Sequence, residues 1–118
     1  MPGLSIHVID VSRGVPAAGM AVEVWKRDGG NEARISAGTI NAAGHYDDAA
    51  LLTAVLVPGR YSARFEIGPY YRGAGIALPE PAFLESMTFT FGISDPAQHY
   101  HLPLKMTPWG YSLFRGGS

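Results

Sequence analysis

Ser86-Met87-Thr88-Phe89-Thr90-Phe91-Gly92-Ile93 decides the fold class. Met87, Phe89, Phe91 and Ile93 fall on one side of an extended chain and Ser86, Thr88 and Thr90 on the other, the period-2 pattern of a strand with one buried face. Tyr61, Ala63, Phe65 and Ile67 repeat it against Ser62, Arg64 and Glu66, between the turn pairs Pro58-Gly59 and Gly68-Pro69. Leu4 to Val11, Met20 to Lys26 and Ala33 to Thr39 read as three more strands. Arg13-Gly14-Val15-Pro16 separates the first two, and Asp28-Gly29-Gly30-Asn31 forms a hairpin turn between the second and third. Gln98 to Met106 sets Tyr100, Leu102, Leu104 and Met106 on one face and His99, His101, Pro103 and Lys105 on the other. Pro103 has no N–H to give a ladder, so one side of this strand is expected to be unpaired or bulged. A last short strand, Tyr111 to Phe114, follows the turn Pro108-Trp109-Gly110. Only Tyr70 to Ile76 has helical character, weakened by Gly73 and Gly75. Seven or eight strands at the roughly 8- to 12-residue spacing of sandwich folds, with one short helix, predict an all-β two-sheet sandwich.

Composition agrees with that class. The 15 glycines and 9 prolines fall between the alternating runs, where turns need them. A chain of 118 residues with 47% apolar content supports one core, so residues 1–118 read as a single domain. It has no cysteine, which excludes disulfides, thiolate nucleophiles and Cys-ligated zinc. A net charge of -1 without a basic block argues against a nucleic-acid footprint, which draws on clustered Lys and Arg. The longest apolar stretch, Ala49 to Val57, is broken by Thr53 and stopped by Pro58-Gly59, far short of the roughly 20 residues of a membrane span. Met1-Pro2-Gly3 leads directly into the first strand with no room for a signal peptide, and a cytoplasmic location is expected.

The chemistry-bearing residues are four histidines: His7 on the first strand, His45 in the loop after Gly44, and His99 and His101 on the penultimate strand. Residues i and i+2 of a strand share a face, so His99 and His101 point the same way. Any one histidine taken singly is more often structural than functional. A His-only zinc site is a minor alternative, because i, i+2 spacing is a weak ligand signal, and no metal or organic cofactor is expected. Gly-x-Ser-x-Gly is absent, and neither Gly73-Ala74-Gly75 nor Gly29-Gly30 has the flanks of a phosphate loop. The residues alone point to an imidazole-based site of open class.

Leu4-Ser5-Ile6-His7-Val8-Ile9-Asp10 near one end and His99-Tyr100-His101-Leu102-Pro103-Leu104 near the other resemble the transthyretin-related 5-hydroxyisourate hydrolases. The likeness runs on through Gly14-Val15-Pro16-Ala17, Thr39-Ile40-Asn41-Ala42-Ala43-Gly44-His45, Ser94-Asp95-Pro96 and the final Pro108 to Ser118. It implies a transthyretin-like sandwich of two four-stranded sheets, assembled as a homotetramer with sites in a channel at the dimer-dimer interface. It also implies metal-independent opening of the ring of 5-hydroxyisourate in purine degradation. The matching site positions are His7, His45, His101 and the tail from Arg115 to Ser118. Here His101, with His7, is expected to activate water and His45 to orient the substrate or donate to the oxyanion. The base and acid roles stay open among the histidines. His99 is expected as an orienting neighbour, and with Phe114, Arg115, Gly116 and Ser118 it makes up the expected substrate-binding set.

The departures from the family pattern carry information of their own. Where the family usually has Asp-Gly-Arg, this chain has Ala43-Gly44-His45, so a permanently charged five-donor fork is replaced by an imidazole. Leu113 and Phe114 stand where threonine and tyrosine are expected, and an additional glycine, Gly116 or Gly117, moves Ser118 one residue further from Arg115. A less polar pocket suits a substrate with fewer N–H groups, such as an N-methylated 5-hydroxyisourate from methylxanthine oxidation. The rival reading from another class is a non-catalytic carrier on the same sandwich. Lost arginine favours the carrier, and retention of His7 with His101 favours the enzyme.

Overall fold

The alternating runs pair into two four-stranded sheets in the computed structural model, which describes residues 2–116. In chain order the elements are β1 (Gly3–Asp10), β2 (Val15–Pro16), β3 (Ala21–Asp28), β4 (Asn31–Thr39), α1 (Ala49–Thr53), β5 (Gly59–Phe65), α2 (Ile67–Gly73), β6 (Met87–Ile93), β7 (His99–Thr107) and β8 (Gly110–Leu113). One sheet has the order β2-β1-β7-β8 and the other β4-β3-β5-β6. The expected two-sheet sandwich is therefore present, with β2 as a two-residue addition. Asp28 pairs with Asn31 across Gly29-Gly30, the hairpin read from the sequence, and Gly29 takes the left-handed φ of +62° that the tight turn requires.

The core lies between the sheets and uses the predicted faces. Leu4, Ile6 and Val8 of β1, Tyr61, Ala63 and Phe65 of β5, and Tyr100, Leu102, Leu104 and Met106 of β7 are all buried. Each large side chain removed from water there contributes roughly 1.5 to 3 kcal/mol. Burial of one face on each strand fixes register, because a one-residue slip would carry the whole apolar set into solvent. β1 and β7 run parallel, from Gly3 opposite His99 to Asp10 opposite Met106. Pro103 sits where the neighbouring strand β8, on the side of β7 away from β1, breaks off. β8 pairs only with Leu104 to Thr107, and the next bridge is Gly116 to His101.

The helices differ from expectation. One was expected over Tyr70 to Ile76, and two are found. α1 forms inside the apolar stretch because Asp48 caps it, its carboxylate accepting from Ala50 N and Leu51 N. The Asp48 carboxylate also accepts from the Ser36 hydroxyl at 2.5 Å. α2 begins at Ile67, which the alternation had assigned to the preceding strand. Pro69 falls in its first turn, where a missing N–H costs no helix bond, and Gly73 ends it.

The inner face of β1 ends in a charge. Asp10 is 0% exposed and accepts from Tyr71 OH at 2.8 Å, Tyr70 OH at 3.1 Å, Ser12 Oγ at 2.6 Å and Arg13 N at 3.3 Å. The Arg13 guanidinium lies 3.7 Å away. The carboxylate fastens α2 to the end of β1. Burial and the facing carboxylate push the Tyr71 hydroxyl well above its ordinary pKa, so it remains a donor. Among the described residues, every buried side-chain polar atom has a hydrogen-bond partner.

Candidate active site

The outer face of the β2-β1-β7-β8 sheet gathers all four histidines. The parallel register sets Ser5 opposite His101, and Gly3 opposite His99, so the outward residues of β1 and β7 lie side by side. On the other flank of β1, Val8 N donates to Gly44 O and Tyr46 N donates to Ile6 O, each at 2.9 Å. That short bridge brings His45 opposite His7, and their rings stack with centroids 4.6 Å apart. Asn41 shapes the turn, its side-chain oxygen accepting from both Ala43 N and His45 N at 3.0 Å.

Gly44 is required at this turn for two reasons. Its φ of +91° is left-handed, and a Cβ built on it would lie 2.7 Å from His7 Nε2. Gly44→Ala is therefore expected to destabilise the fold by about 1 to 2 kcal/mol through backbone strain alone. It is also expected to displace the His7 ring, which a shifted His7 resonance in a proton–nitrogen spectrum would report. Unchanged stability with an unmoved His7 ring would contradict this account.

Polar contacts fix the imidazoles. His7 Nε2 lies 3.2 Å from Ala43 O, and a carbonyl only accepts, so this nitrogen carries a proton. Ser5 Oγ touches two rings at once, His99 Nε2 at 2.7 Å and His101 Nδ1 at 2.6 Å. The sequence reading passed over Ser5. Its signal was its place two residues before His7 on the same strand face, which gains meaning only when β7 is known to lie alongside. Burial lowers the His101 pKa from its ordinary value, and the nearby His7, His99 and His45 add to the effect, while a backbone hydrogen bond with Ser5 opposes it. An imidazole so placed is largely unprotonated at neutral pH, as a base needs to be.

The tail approaches the same face. Gly116 N donates to His101 O at 2.8 Å, and a Cβ on Gly116 would stand 3.3 Å from His101 Cδ2. Phe114 is 52% exposed, and alternation from the core-side Leu113 places it on the outer face. Leu113 pairs with Leu104 and packs against the core, so of the two expected hydroxyl losses only that at Phe114 bears on this face. Arg115 stacks its guanidinium 4.0 Å over the Tyr100 ring and donates to Gln98 Oε1 and His99 O, on the side of β7 that carries Tyr100. Within the protomer it is engaged there and not with the imidazoles. Ser118 lies outside the described residues.

The larger hollows lie elsewhere, one of about 580 Å³ beside Arg13 and Tyr70 and one of about 480 Å³ beside Trp25 and Ser62, and neither is lined by a histidine. A smaller depression of about 190 Å³ adjoins the imidazoles at Ser5, His45 and Leu52. As formed by the described residues, the histidine face of a single protomer is otherwise an open sheet surface. Among the described residues no group of three or more His, Asp or Glu side chains is arranged to hold a metal ion.

A family model described as HIUase/Transthyretin matches residues 4–116, essentially the whole sandwich and the tail to Gly116. The chain belongs to that family. Among members of the HIUase/Transthyretin family, it is 42% identical over 113 residues to the 5-hydroxyisourate hydrolase of Mesorhizobium japonicum, covering 96% of this chain and 90% of that one. It is 38% identical over 116 residues to that of Ralstonia nicotianae, covering 98% and 99%. The structure of Klebsiella pneumoniae 5-hydroxyisourate hydrolase superposes with a TM-score of 0.78 at 32% identity, over 99% of this chain and 94% of that one. An (S)-allantoin synthase superposes at 0.89 with 29% identity, over 98% of this chain, which spans 43% of that longer one. Sea bream transthyretin in complex with thyroxine superposes at 0.85 with 24% identity, over 98% and 96%, and shares the fold.

Proposed function

We propose that this chain is a metal-independent hydrolase that opens the ring of 5-hydroxyisourate, and that the four-histidine face is its active site. The observation that carries this reading is the convergence of His7, His45 and His101, from three separate segments, on one sheet face. The full-length relatives named as 5-hydroxyisourate hydrolases support the substrate class. A carrier of an apolar ligand has no use for a base of lowered pKa among three other imidazoles, so the carrier reading falls behind.

In the proposed reaction His101 takes a proton from water as its oxygen attacks the ring carbonyl, and the carbonyl oxygen becomes an oxyanion. His45, beside His7 at the edge of the face, donates to that oxygen. The C–N bond then breaks, and the ring nitrogen leaves with the proton returned by an imidazolium. A second copy of the chain covering the open face would exclude water and complete the channel of the proposed homotetramer, in a single-domain cytoplasmic protein.

The replacement of the expected arginine by His45, and Phe114 on the same face, support an N-methylated 5-hydroxyisourate as the preferred substrate. Each methyl group replaces a donor with apolar surface worth roughly 0.8 kcal/mol when buried. The deciding measurement is the ultraviolet decay of freshly generated 5-hydroxyisourate and of its trimethyl analogue, with and without protein. Faster decay of the analogue supports methylxanthine breakdown, faster decay of the parent supports uric acid degradation, and no acceleration of either overturns the hydrolase reading.

His45→Arg is expected to move relative kcat/KM toward the parent compound by roughly 10- to 100-fold, because a hydrogen bond to a charged group contributes roughly 1.5 to 3 kcal/mol. A shift toward the methylated compound, or none, would remove His45 from specificity. The pH profile follows from the sign of the His101 shift. A lowered pKa keeps the base neutral to lower pH, so the acid limb of kcat/KM is expected below the ordinary imidazole value of about 6.5. A limb above that value would contradict the assignment.

A further inference from the structure

We propose that Ser5 and His99 are positioning residues that lock His101 in one tautomer, through a directed chain of hydrogen bonds starting at the Pro2 carbonyl. This rests on the reading of the four-histidine face as a hydrolytic site, and it assigns the base to a single atom, His101 Nε2.

The direction of each bond follows from the first. A carbonyl oxygen only accepts, so His99 Nδ1, 3.3 Å from Pro2 O, carries a proton. Neutral His99 then keeps its lone pair on Nε2, which lies 2.7 Å from Ser5 Oγ, so the hydroxyl donates to it. Ser5 has one hydroxyl proton. With that proton directed at His99, Ser5 Oγ accepts from His101 Nδ1 at 2.6 Å. His101 is left with its lone pair on Nε2, the nitrogen next to Cδ2. A side chain on Gly116 would crowd that edge of the ring, since a Cβ there would stand 3.3 Å from His101 Cδ2.

The chain does two things for the reaction. It holds neutral His101 with the lone pair on Nε2, the nitrogen that Ser5 does not engage. When Nε2 takes the proton from water, Nδ1–H remains bonded to Ser5 Oγ, so the imidazolium forms without reorientation. Reversal of the Ser5 hydroxyl would place a proton on Nε2 and remove the base. An imidazole oriented through its second nitrogen is a general device, because the partner of one ring nitrogen decides the protonation of the other.

The test reads tautomers directly, by proton–nitrogen correlation of the imidazoles in the full chain at about pH 8, above the ordinary imidazole range. In the wild type, His99 and His101 are both expected as Nδ1–H. Ser5→Ala is expected to convert His101 to a mixture containing Nε2–H and to lower kcat roughly 10- to 100-fold with little change in KM. Ser5→Thr keeps the hydroxyl and is expected to restore both. His99→Phe frees Ser5 to donate to His101 Nδ1, so His101 is expected as Nε2–H, with a loss of kcat comparable to that of Ser5→Ala. Wild-type His101 found as Nε2–H overturns the proposal without any variant, as does Ser5→Ala with wild-type kcat or an unchanged tautomer. The nitrogen spectra need no substrate. A wild-type protein that fails to open the ring therefore defeats the hydrolase reading alone, and the relay stands or falls on the tautomers.

Discussion

His101→Ala is expected to lower kcat for ring opening by roughly 100-fold or more, the usual worth of a positioned general base. Two of the other imidazoles on the face are already engaged with backbone carbonyls. His7 directs Nε2–H at the Ala43 carbonyl, and His99 directs Nδ1–H at that of Pro2 while its Nε2 accepts from Ser5. His101 combines a pKa lowered by burial with an Nε2 that, among the described residues, has no hydrogen-bond partner, its Nδ1 being held by Ser5. KM should change far less, because removing a group that acts in the transition state lowers kcat and kcat/KM together. The variant should fold, since the inner face of β7 is untouched and the lost side chain is only half-buried. Steady-state kinetics on the faster of the two substrates provide the check, and a kcat within severalfold of wild type would take His101 out of the mechanism.

The second large effect concerns stability. Asp10→Ala is expected to destabilise the fold by about 3 to 5 kcal/mol, because the buried hydroxyls of Tyr70 and Tyr71 lose their acceptor and a cavity opens at the end of β1. Arg13 adds little to this figure, being 39% exposed and screened by solvent. The loss corresponds to a fall in Tm of roughly 10 to 20 °C for a domain of this size. Urea unfolding at fixed protein concentration measures it, the concentration being held because any assembly is linked to folding. Asp10 lies on the opposite face of β1 from Ser5 and His7, so kcat measured well below the unfolding midpoint should stay close to wild type. Stability near that of wild type would mean that α2 is held without Asp10.

Much of this could be read from the residues. The alternations at Tyr61 to Phe65, Met87 to Ile93 and Tyr100 to Met106 named the inner faces correctly, because an extended chain with one wet side has to alternate. The shared face of His99 and His101 followed from the same geometry. Asp10 was legible in part. It continues the spacing of Leu4, Ile6 and Val8, and a carboxylate at a core position signals buried partners, yet nothing local names Tyr70 and Tyr71. α1 escaped notice because five residues carry too little periodicity, and its cap depends on the side chain of Asp48.

The site itself divides along the same line. Period 2 is a property of the backbone, local to each strand, so the sequence by itself determined the sandwich class, the buried faces and the pairing of His99 with His101. Which strands lie side by side, and in what register, is set by the packing of the whole core between the sheets. That packing placed β7 beside β1, bringing Ser5 onto His101 across 96 positions of chain. It also laid the turn at Gly44 along β1 so that His45 stacks on His7. Tertiary structure alone decided these contacts, because burial is cooperative over the molecule and leaves no trace in the spacing of any single segment.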